Sequence, residues 1–326
     1  MTPISILDLV RITDATDARQ ALDNARDLAA HAERWGYTRF WVAEHHNMPS
    51  IASAATSLVI AHVAAGTQRI RVGAGGIMLP NHSPLVIAEQ FGTLAHLFPD
   101  RIDLGLGRAP GTDQATLRAL RRTPHTAENF PDDVLELQRL LAPARPGQHI
   151  VATPGAGTEV PLWMLGSSTF GATLAAQLGL PYAFASHFAP QQLQSALEVY
   201  RSRFEPSKQL QKPHAMVGVN LIAADTSEEA RHLATSLQMS FTNLLRGQRQ
   251  LSQPPIDDID SYWNPQEKAQ AQSMLACSVF GDKAEIRAGV AKVLAQTQCD
   301  ELIIVSDVYD HAARLRSFEL IAEALH

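Results

Sequence analysis

Short apolar segments alternate with longer amphipathic segments along almost the whole chain. Residues 38–44 (TRFWVAE) are aromatic and β-branched, which is typical of a strand, whereas residues 17–35 place alanine and leucine every three or four positions, as on one face of a helix. Gly36 follows that helix at the position where a left-handed cap is favoured. The predicted strands cover residues 4–10, 38–44, 70–79, 101–107, 161–166, 182–185, 216–224 and 301–306.

A helical pattern follows each predicted strand. Two stretches without clear periodicity interrupt the alternation: a basic and polar one at 108–128, and one rich in Gln, Pro and Asp at 247–264. The predicted helices cover residues 17–35, 52–66, 84–98, 132–141, 169–178, 190–204, 227–247, 283–296 and 312–325.

The repeated strand–helix unit predicts the fold. Strands that read as continuous apolar runs between amphipathic helices indicate a parallel sheet covered by helices. Eight such units are enough for the sheet to close, so the sequence predicts a (β/α)8 TIM barrel with insertions after strands four and seven. No linker rich in Pro, Gly and Ser divides the chain, and we expect a single domain over residues 1–326.

Composition and charge indicate which partners and which cellular compartment to expect. The hydrophobic share of 45% and charged share of 18% are those of a globular protein, and the net charge of −6 favours neither a nucleic-acid nor a membrane partner. Two cysteines, Cys277 and Cys299, are too few for a disulfide framework and form no CxxC motif. Without a signal-peptide pattern or an apolar run of about 20 residues, we expect a cytoplasmic protein.

Candidate catalytic groups follow the second predicted strand. In a barrel of this kind, functional side chains gather where strands end, at the C-terminal mouth. Glu44, His45 and His46 follow one another there, and because side chains alternate along a strand, at most one of the two histidines faces the lumen. A histidine can exchange a proton near neutral pH and a carboxylate can orient it. A metal site is not predicted, since there is no HExxH motif and His62 and His82 lie in other elements.

Three further strand ends carry residues suited to a flat, phosphate-bearing cofactor. Ala74, Gly75 and Gly76 are small enough to let backbone approach a planar ring. Arg108 follows the fourth strand, and a guanidinium can bind a phosphate through two hydrogen bonds. The run 166–169 (Gly166, Ser167, Ser168 and Thr169) opens a helix whose first N–H groups attract an anion. Flavin mononucleotide (FMN) fits this outline better than a dinucleotide.

Four segments resemble the bacterial-luciferase-like flavin monooxygenases, in particular their single-chain luciferase-type oxidoreductases. The segments are 36–49 (GYTRFWVAEHHNMP), 69–94 (RIRVGAGGIMLPNHSPLVIAEQFGTL), 101–113 (RIDLGLGRAPGTD) and 166–188 (GSSTFGATLAAQLGLPYAFASHF). The likeness spans strands two to six and, with the terminal pattern, nearly the whole chain.

The resemblance implies a (β/α)8 barrel, usually a homodimer, that takes reduced FMN from a separate NAD(P)H:flavin reductase and oxidises a small molecule through a flavin peroxide. It implies that His45 acts as catalytic acid or base and that a non-prolyl cis peptide at Gly75–Gly76 lies under the ring. It also implies that Arg108, Ser167 and Ser168 bind the phosphate. The Gly–Gly pair replaces a bulkier one in luciferases and is expected to widen the ring pocket.

The leading hypothesis is therefore a two-component monooxygenase in which His45, oriented by Glu44, moves a proton beside a ring backed by residues 74–76. A deazaflavin-dependent oxidoreductase that transfers hydride is one alternative, and a non-catalytic flavin-binding subunit is another. Residues 247–264 correspond to the variable lid that selects the substrate, so the sequence leaves the acceptor unidentified.

Overall fold

The predicted strands are all present. The computed structural model describes residues 2–108 and 113–326; residues 109–112, part of the segment 101–113 quoted above, lie outside the described residues. One further strand lies beyond the prediction. The strands are β1 (Ile4–Asp8), β2 (Arg39–Val42), β3 (Arg71–Met78), β4 (Ile102–Gly107), β5 (Leu162–Gly166), β6 (Tyr182–Phe184), β7 (Ala215–Ala223), β8 (Ser278–Gly281) and β9 (Glu301–Val305).

The predicted helices are also present, and two short helices lie in stretches to which no helix was assigned. The helices are α1 (Ala18–Arg34), α2 (Thr56–Ala64), α3 (Pro84–Leu97), α4 (Gln114–Ala119), α5 (Phe130–Leu141), α6 (Thr169–Leu178), α7 (Leu193–Ser202), α8 (Ser227–Leu245), α9 (Pro265–Met274), α10 (Lys283–Thr297) and α11 (His311–Leu325). In the described residues, none of them is both long and apolar enough to span a membrane.

Eight of the nine strands in the described residues close into a parallel barrel. Strands β1 to β6 pair in chain order, β6 pairs with β7, β7 with β9, and β9 with β1. Strand β8 pairs with β7 over Asn220–Ala223 and lies outside the closed ring. The (β/α)8 fold is confirmed, and the insertion after the seventh barrel strand carries α8, α9 and β8.

Strand alternation separates the lumen of the barrel from the outer core. In β2, Phe40 and Val42 pack in the large outer cluster beneath the helices, whereas Trp41 belongs to the lumen cluster. Continuing the alternation beyond Ala43 directs His45 toward the lumen and Glu44 away from it. The buried lumen cluster comprises Leu7, Trp41, Ala43, Trp163, Ala183, Met216, Ile303 and Val305.

A buried ionic layer closes the lumen below this apolar cluster. Arg39 lies between two carboxylates, with its Nη1 2.8 Å from Asp103 Oδ2 and its Nε 3.0 Å from Glu301 Oε1. Both carboxylates have almost no solvent exposure. Further donors to these two carboxylates are Arg71, Trp41, Ser5 and His214.

The insertion predicted to form the lid is tied to the loops of the mouth. The backbone of Ser252 bonds that of the first loop, with its N–H 3.2 Å from Ile12 O and its carbonyl 3.1 Å from the N–H of Asp14. Arg249 Nη1 donates to the carbonyl of Asn47 at 2.9 Å, and its Nη2 contacts the carboxylate of Asp113. The segment 247–264 therefore bridges the loops after β1, β2 and β4.

Candidate active site

His45 follows β2, and its environment keeps its imidazole neutral. Burial lowers its pKa from 6.5 to about 4; the nearby Arg11 and His46 act in the same direction, and Glu44 opposes them. Its Nδ1 is buried and has no hydrogen-bond partner among the described residues. His45 therefore presents an uncharged, unsatisfied polar atom at the barrel mouth.

Glu44 does not hydrogen-bond the neighbouring His45 in the described structure. Its Oε1 accepts from His46 Nε2 at 2.7 Å and from His82 Nε2 at 2.8 Å, and its Oε2 accepts from the N–H of Met78 at 3.0 Å. Burial alone raises the pKa of Glu44, but these hydrogen bonds outweigh it and hold the pKa below its usual value. Glu44 thus joins the loops after β2 and β3, and the expectation that it orients His45 directly receives no support from these contacts.

The structure brings His82 next to Glu44, although it lies in a different loop of the sequence. The ligand-type atoms of Glu44, His46 and His82 lie within 4.8 Å of one another, a grouping with the composition of a small metal site. Two imidazoles that each donate to one carboxylate account for the same distances, because 2.7 and 2.8 Å are ordinary hydrogen-bond lengths.

The residues expected behind the cofactor ring lie on β3. The peptide bond between Gly75 and Gly76 is cis, at the position that the resemblance implies. The side chain of Ala74 packs in the outer core beneath the helices. Ala74 can therefore contribute only backbone atoms to the lumen side of β3.

The two glycines do not widen the pocket, contrary to the expectation from the sequence. A Cβ at Gly75 would lie 2.7 Å from Leu7 Cδ1 and 3.1 Å from Trp41 Cβ, and a Cβ at Gly76 would lie 2.7 Å from the carbonyl oxygen of Gly105. Neighbouring side chains and backbone therefore already fill the volume that larger residues would occupy. The pair permits close packing beneath the strand end rather than an enlarged cavity.

Arg108 and the start of α6 lie beside each other. Strands β4 and β5 are neighbours, and the Arg108 guanidinium carbon lies 4.0 Å from the ring centroid of Phe170 in the first turn of α6. Ser168 is the N-cap residue, but its side chain makes no capping hydrogen bond, and its carbonyl accepts from Tyr182 Oη at 3.0 Å. Ser168 therefore does not cap the helix, although Gln192 Oε1 accepts from the N–H of Thr169 at 3.4 Å. An exposed cation lies beside this helix start, an arrangement that suits an anion. Gly166 ends β5, and Ser167 and Ser168 form the bend that leads into the helix.

Two charged residues at the mouth escaped the sequence prediction. Arg11 Nε lies 2.8 Å from Asp307 Oδ2, and Asp307 is buried two residues beyond β9. Arg11 is close enough to His45 to lower its pKa. The sequence could have indicated Asp307 by its position after β9, because it continues the lumen-facing alternation of Ile303 and Val305.

His187 also escaped prediction, although it lies inside a segment that carries the family resemblance. It follows β6, in the lumen-facing alternation of Ala183. Burial and the charge of His45 lower its pKa from 6.5 to about 4. Its Nδ1, like that of His45, is buried without a hydrogen-bond partner in the described part of the chain.

The fold and the mouth define a (β/α)8 barrel with a neutral, half-buried histidine at the strand ends. The luciferase-like monooxygenase family model matches residues 2–321, and the chain belongs to that family. A luciferase-like monooxygenase of Escherichia coli is 53% identical over 97% of this chain and 95% of its own length.

Solved structures agree with this family assignment. Apo-MsnO8 is 32% identical with a TM-score of 0.88, covering 99% of this chain and 98% of its own. The oxygenating constituent of 3,6-diketocamphane monooxygenase of Pseudomonas putida, in complex with FMN, has a TM-score of 0.72 at 17% identity and covers 100% and 98% of the two chains. An F420-dependent secondary alcohol dehydrogenase also has a TM-score of 0.72, at 14% identity, with coverage of 100% and 99%. The last two likenesses show the fold alone.

Proposed function

We propose that the protein is the oxygenating component of a two-component monooxygenase, which receives reduced FMN from a separate NAD(P)H:flavin reductase and uses O2 to oxidise a small organic molecule. The observation that carries the proposal is the juxtaposition of Arg108 with the start of α6, at the same barrel mouth as the neutral His45. The FMN complex of a monooxygenase that shares this fold adds support.

The phosphate of FMN would be held by Arg108 together with the turn from Gly166 to Ser168. A helix N-terminus carries partial positive charge and free N–H groups, and the guanidinium supplies a full charge and a planar pair of donors. The ring of Phe170 supports the guanidinium from one side. These groups fit a dianionic phosphate ester without help from a metal ion.

The flavin ring would lie against the backbone of residues 74–76. Leu7 and Trp41 fill the space below Gly75, so the ring would meet a firm apolar floor. Reduced flavin, when bound, supplies the electrons with which O2 is activated.

His45 is proposed to hold or move a proton at this mouth. A neutral imidazole carries one N–H and one lone pair, so it can donate to a developing oxygen anion or accept from a hydroperoxide or alcohol proton. Glu44 acts as a positioning residue, since its hydrogen bonds to His46 and His82 fix the loops on both sides of His45. The lid segment 247–264 would exclude water, which otherwise diverts reactive oxygen species.

Flavin affinity tests the proposed phosphate site. We expect Arg108→Ala to weaken FMN binding about 10- to 100-fold, the range for charge-assisted hydrogen bonds, while riboflavin, which lacks the phosphate, binds as before. Arg118→Ala on α4, an exposed arginine, is the matched control. Equal losses for FMN and riboflavin, or no affinity of the unaltered protein for FMN in either redox state, would contradict the assignment.

Oxygen use tests the reaction itself. Photoreduced FMN mixed with the protein, O2 and panels of aldehydes, sulfonates or cell extract should give an oxygenated product whose new oxygen derives from 18O2. A deazaflavin coenzyme that binds more tightly than FMN and transfers hydride without O2 would instead favour the alternative, for which the likeness to the F420-dependent dehydrogenase is the relevant observation.

A homodimer is proposed for the assembly. Leu58 on α2 is 72% exposed and Leu97 on α3 is 62% exposed, and neighbouring helices α2 and α3 thus share unpartnered apolar side chains. Light scattering should report twice the monomer mass, and Leu58→Glu should reduce it to the monomer value. A monomer at all concentrations would contradict the proposal.

A further inference from the structure

His187 is held in place by its own loop and by β7. Asn220 Nδ2 donates to the carbonyl oxygen of His187 at 2.6 Å, and Asn220 is almost fully buried. The preceding Ser186 donates to the carbonyl oxygen of Gly218 at 2.6 Å. Two hydrogen bonds to one strand therefore fix the backbone on either side of the histidine.

The wall of the barrel is recessed to admit the His187 imidazole. A Cβ at Gly218 would lie 2.5 Å from His187 Nδ1, so any larger residue at this position would displace the ring. Gly218 shares the lumen-facing alternation of Met216. Its missing side chain leaves the space that the imidazole occupies at the upper rim of the lumen.

His45 and His187 face each other across the mouth. Strands β2 and β6 have three barrel strands between them in either direction, so they stand on opposite walls. The two imidazoles are close enough for the charge of one to lower the pKa of the other. The Nδ1 of each ring is buried without a partner in the described residues, and that of His187 lies against Gly218, so the remainder of each half-buried ring faces the mouth.

Two half-buried imidazoles on opposite walls offer hydrogen-bonding groups to a molecule that occupies the mouth between them. We infer that His187 and His45 together form a binding site for an uncharged hydrogen-bonding group, such as a carbonyl or hydroxyl, of the molecule that is oxidised. The inference rests on the proposed function. It adds His187 as a second residue that touches the substrate, and it names the chemical class of the group that the two histidines recognise.

The charges around the pair favour an uncharged occupant. Arg11 approaches the pair, but it forms an ion pair with Asp307. A charged ligand would therefore find no unpaired opposite charge on these two residues. Each neutral imidazole offers one donor and one acceptor, and the tautomer can follow the ligand. A carbonyl oxygen can thus accept from either ring, and a hydroxyl can bond both.

Binding of three probes of similar shape tests the inference in FMN-loaded protein: cyclohexanone, methylenecyclohexane and cyclohexanecarboxylate. Ligand-observed NMR titration gives each Kd. We expect His187→Phe, which keeps an aromatic ring, to reduce the preference for the ketone over the hydrocarbon about 3- to 10-fold, the value of a net hydrogen bond. His187→Asn, which retains a donor and an acceptor, should keep part of the preference, and His62→Phe on α2 should leave it unchanged.

Three results would overturn the inference. The first is a ketone-over-hydrocarbon preference in His187→Phe equal to that of the unaltered protein, and the second is an equal loss of that preference in His62→Phe. The third is that the carboxylate binds more tightly than the other two probes. Folding of each variant is verified by its FMN affinity, which His187 does not control. Failure of the proposed function is seen separately, as absent FMN binding in unaltered protein. The three-probe comparison on the flavin-free protein then still tests the histidine pair.

Discussion

At the bottom of the barrel lumen, the buried carboxylates of Asp103 and Glu301 meet cations and hydrogen-bond donors, whereas at the mouth the buried Nδ1 atoms of His45 and His187 meet no partner among the described residues. The two layers lie on either side of the apolar cluster, and β2 contributes to both, with Arg39 at its start and His45 beyond its end. The lower layer uses its polar groups to join strands. The upper layer leaves its imidazoles available for ligands. In this fold, the C-terminal face is expected to carry function and the N-terminal face to carry stability.

The largest effect is expected from removing a polar group at the mouth. His45→Ala should retain FMN affinity but lower the rate of coupled product formation about 10²- to 10⁴-fold, the usual contribution of a positioned acid or base. The measurement is the ratio of product to hydrogen peroxide released with photoreduced FMN. His62→Ala is the control, and unchanged coupling in His45→Ala would remove this residue from the chemistry.

At the bottom, the same kind of change should act on stability instead. Arg39→Met leaves two buried carboxylates without their shared cation and should lower the free energy of unfolding by about 3–5 kcal/mol. Urea denaturation measures it. Arg19→Met, at a side chain that is 91% exposed, should change stability by less than about 0.5 kcal/mol. A small effect of Arg39→Met would mean that the lower layer is not structural.

Acid should destabilise the protein through the buried histidines of the mouth. His187 has a folded pKa of about 4 against 6.5 for an exposed histidine, so the unfolded chain binds its proton first and stability falls as pH drops from 6.5 toward 4. His45 behaves likewise, because burial, Arg11 and His46 lower its pKa to about 4 against the opposing effect of Glu44.

A glutamine variant isolates the contribution of His187 to this acid sensitivity. Between pH 7.5 and 5, the loss of unfolding free energy should be smaller by about 2 kcal/mol in His187→Gln than in the unaltered protein, from the linkage of each pKa unit to about 1.4 kcal/mol. Urea titrations at the two pH values give the comparison. Identical losses would show that His187 does not titrate as a buried group.

The smallest effect is expected at the lid. Arg249 and Asp113 are both more than a third exposed, so Arg249→Ala should change stability by less than about 1 kcal/mol. Looser closure should nevertheless admit water and raise hydrogen peroxide release about two- to five-fold. Arg203→Ala, another exposed arginine, is the control. Unchanged peroxide release would mean that the Arg249 contacts do not govern closure.

The barrel could be predicted from the sequence because its strands are continuous apolar runs that differ in length and composition from the helices. The additional strand β8 could not, since its residues 278–280 are only half-buried and its hydrophobic signal is weak. Helix α9 buries only Ala271, so no apolar face marks it. Its start was nevertheless readable, because Asn264, Pro265 and Glu267 form a capping box with proline in the first turn.

The candidate site was predictable where a residue follows a strand end directly, as His45 and Arg108 do. It was not predictable where function depends on contact between loops: Glu44 precedes His45 in sequence but hydrogen-bonds His46 and His82. Strand alternation, applied in the sequence analysis only to His45 and His46, also directs Glu44 and His45 to opposite sides of the strand. The same alternation, extended beyond β6, would have directed attention to His187.

Strand β7 changes neighbour along its length. Residues Met216–Asn220 pair with β9 inside the ring, while Asn220–Ala223 pair with β8 outside it. Apart from the contacts of the lid with the loops of the mouth, the stretch from Ser227 to Gly281 joins the sheet of the barrel through the end of a single strand. Relatives can lengthen, shorten or replace that stretch while the hydrogen bonding that closes the ring stays intact, so substrate choice can evolve separately from the capacity to fold.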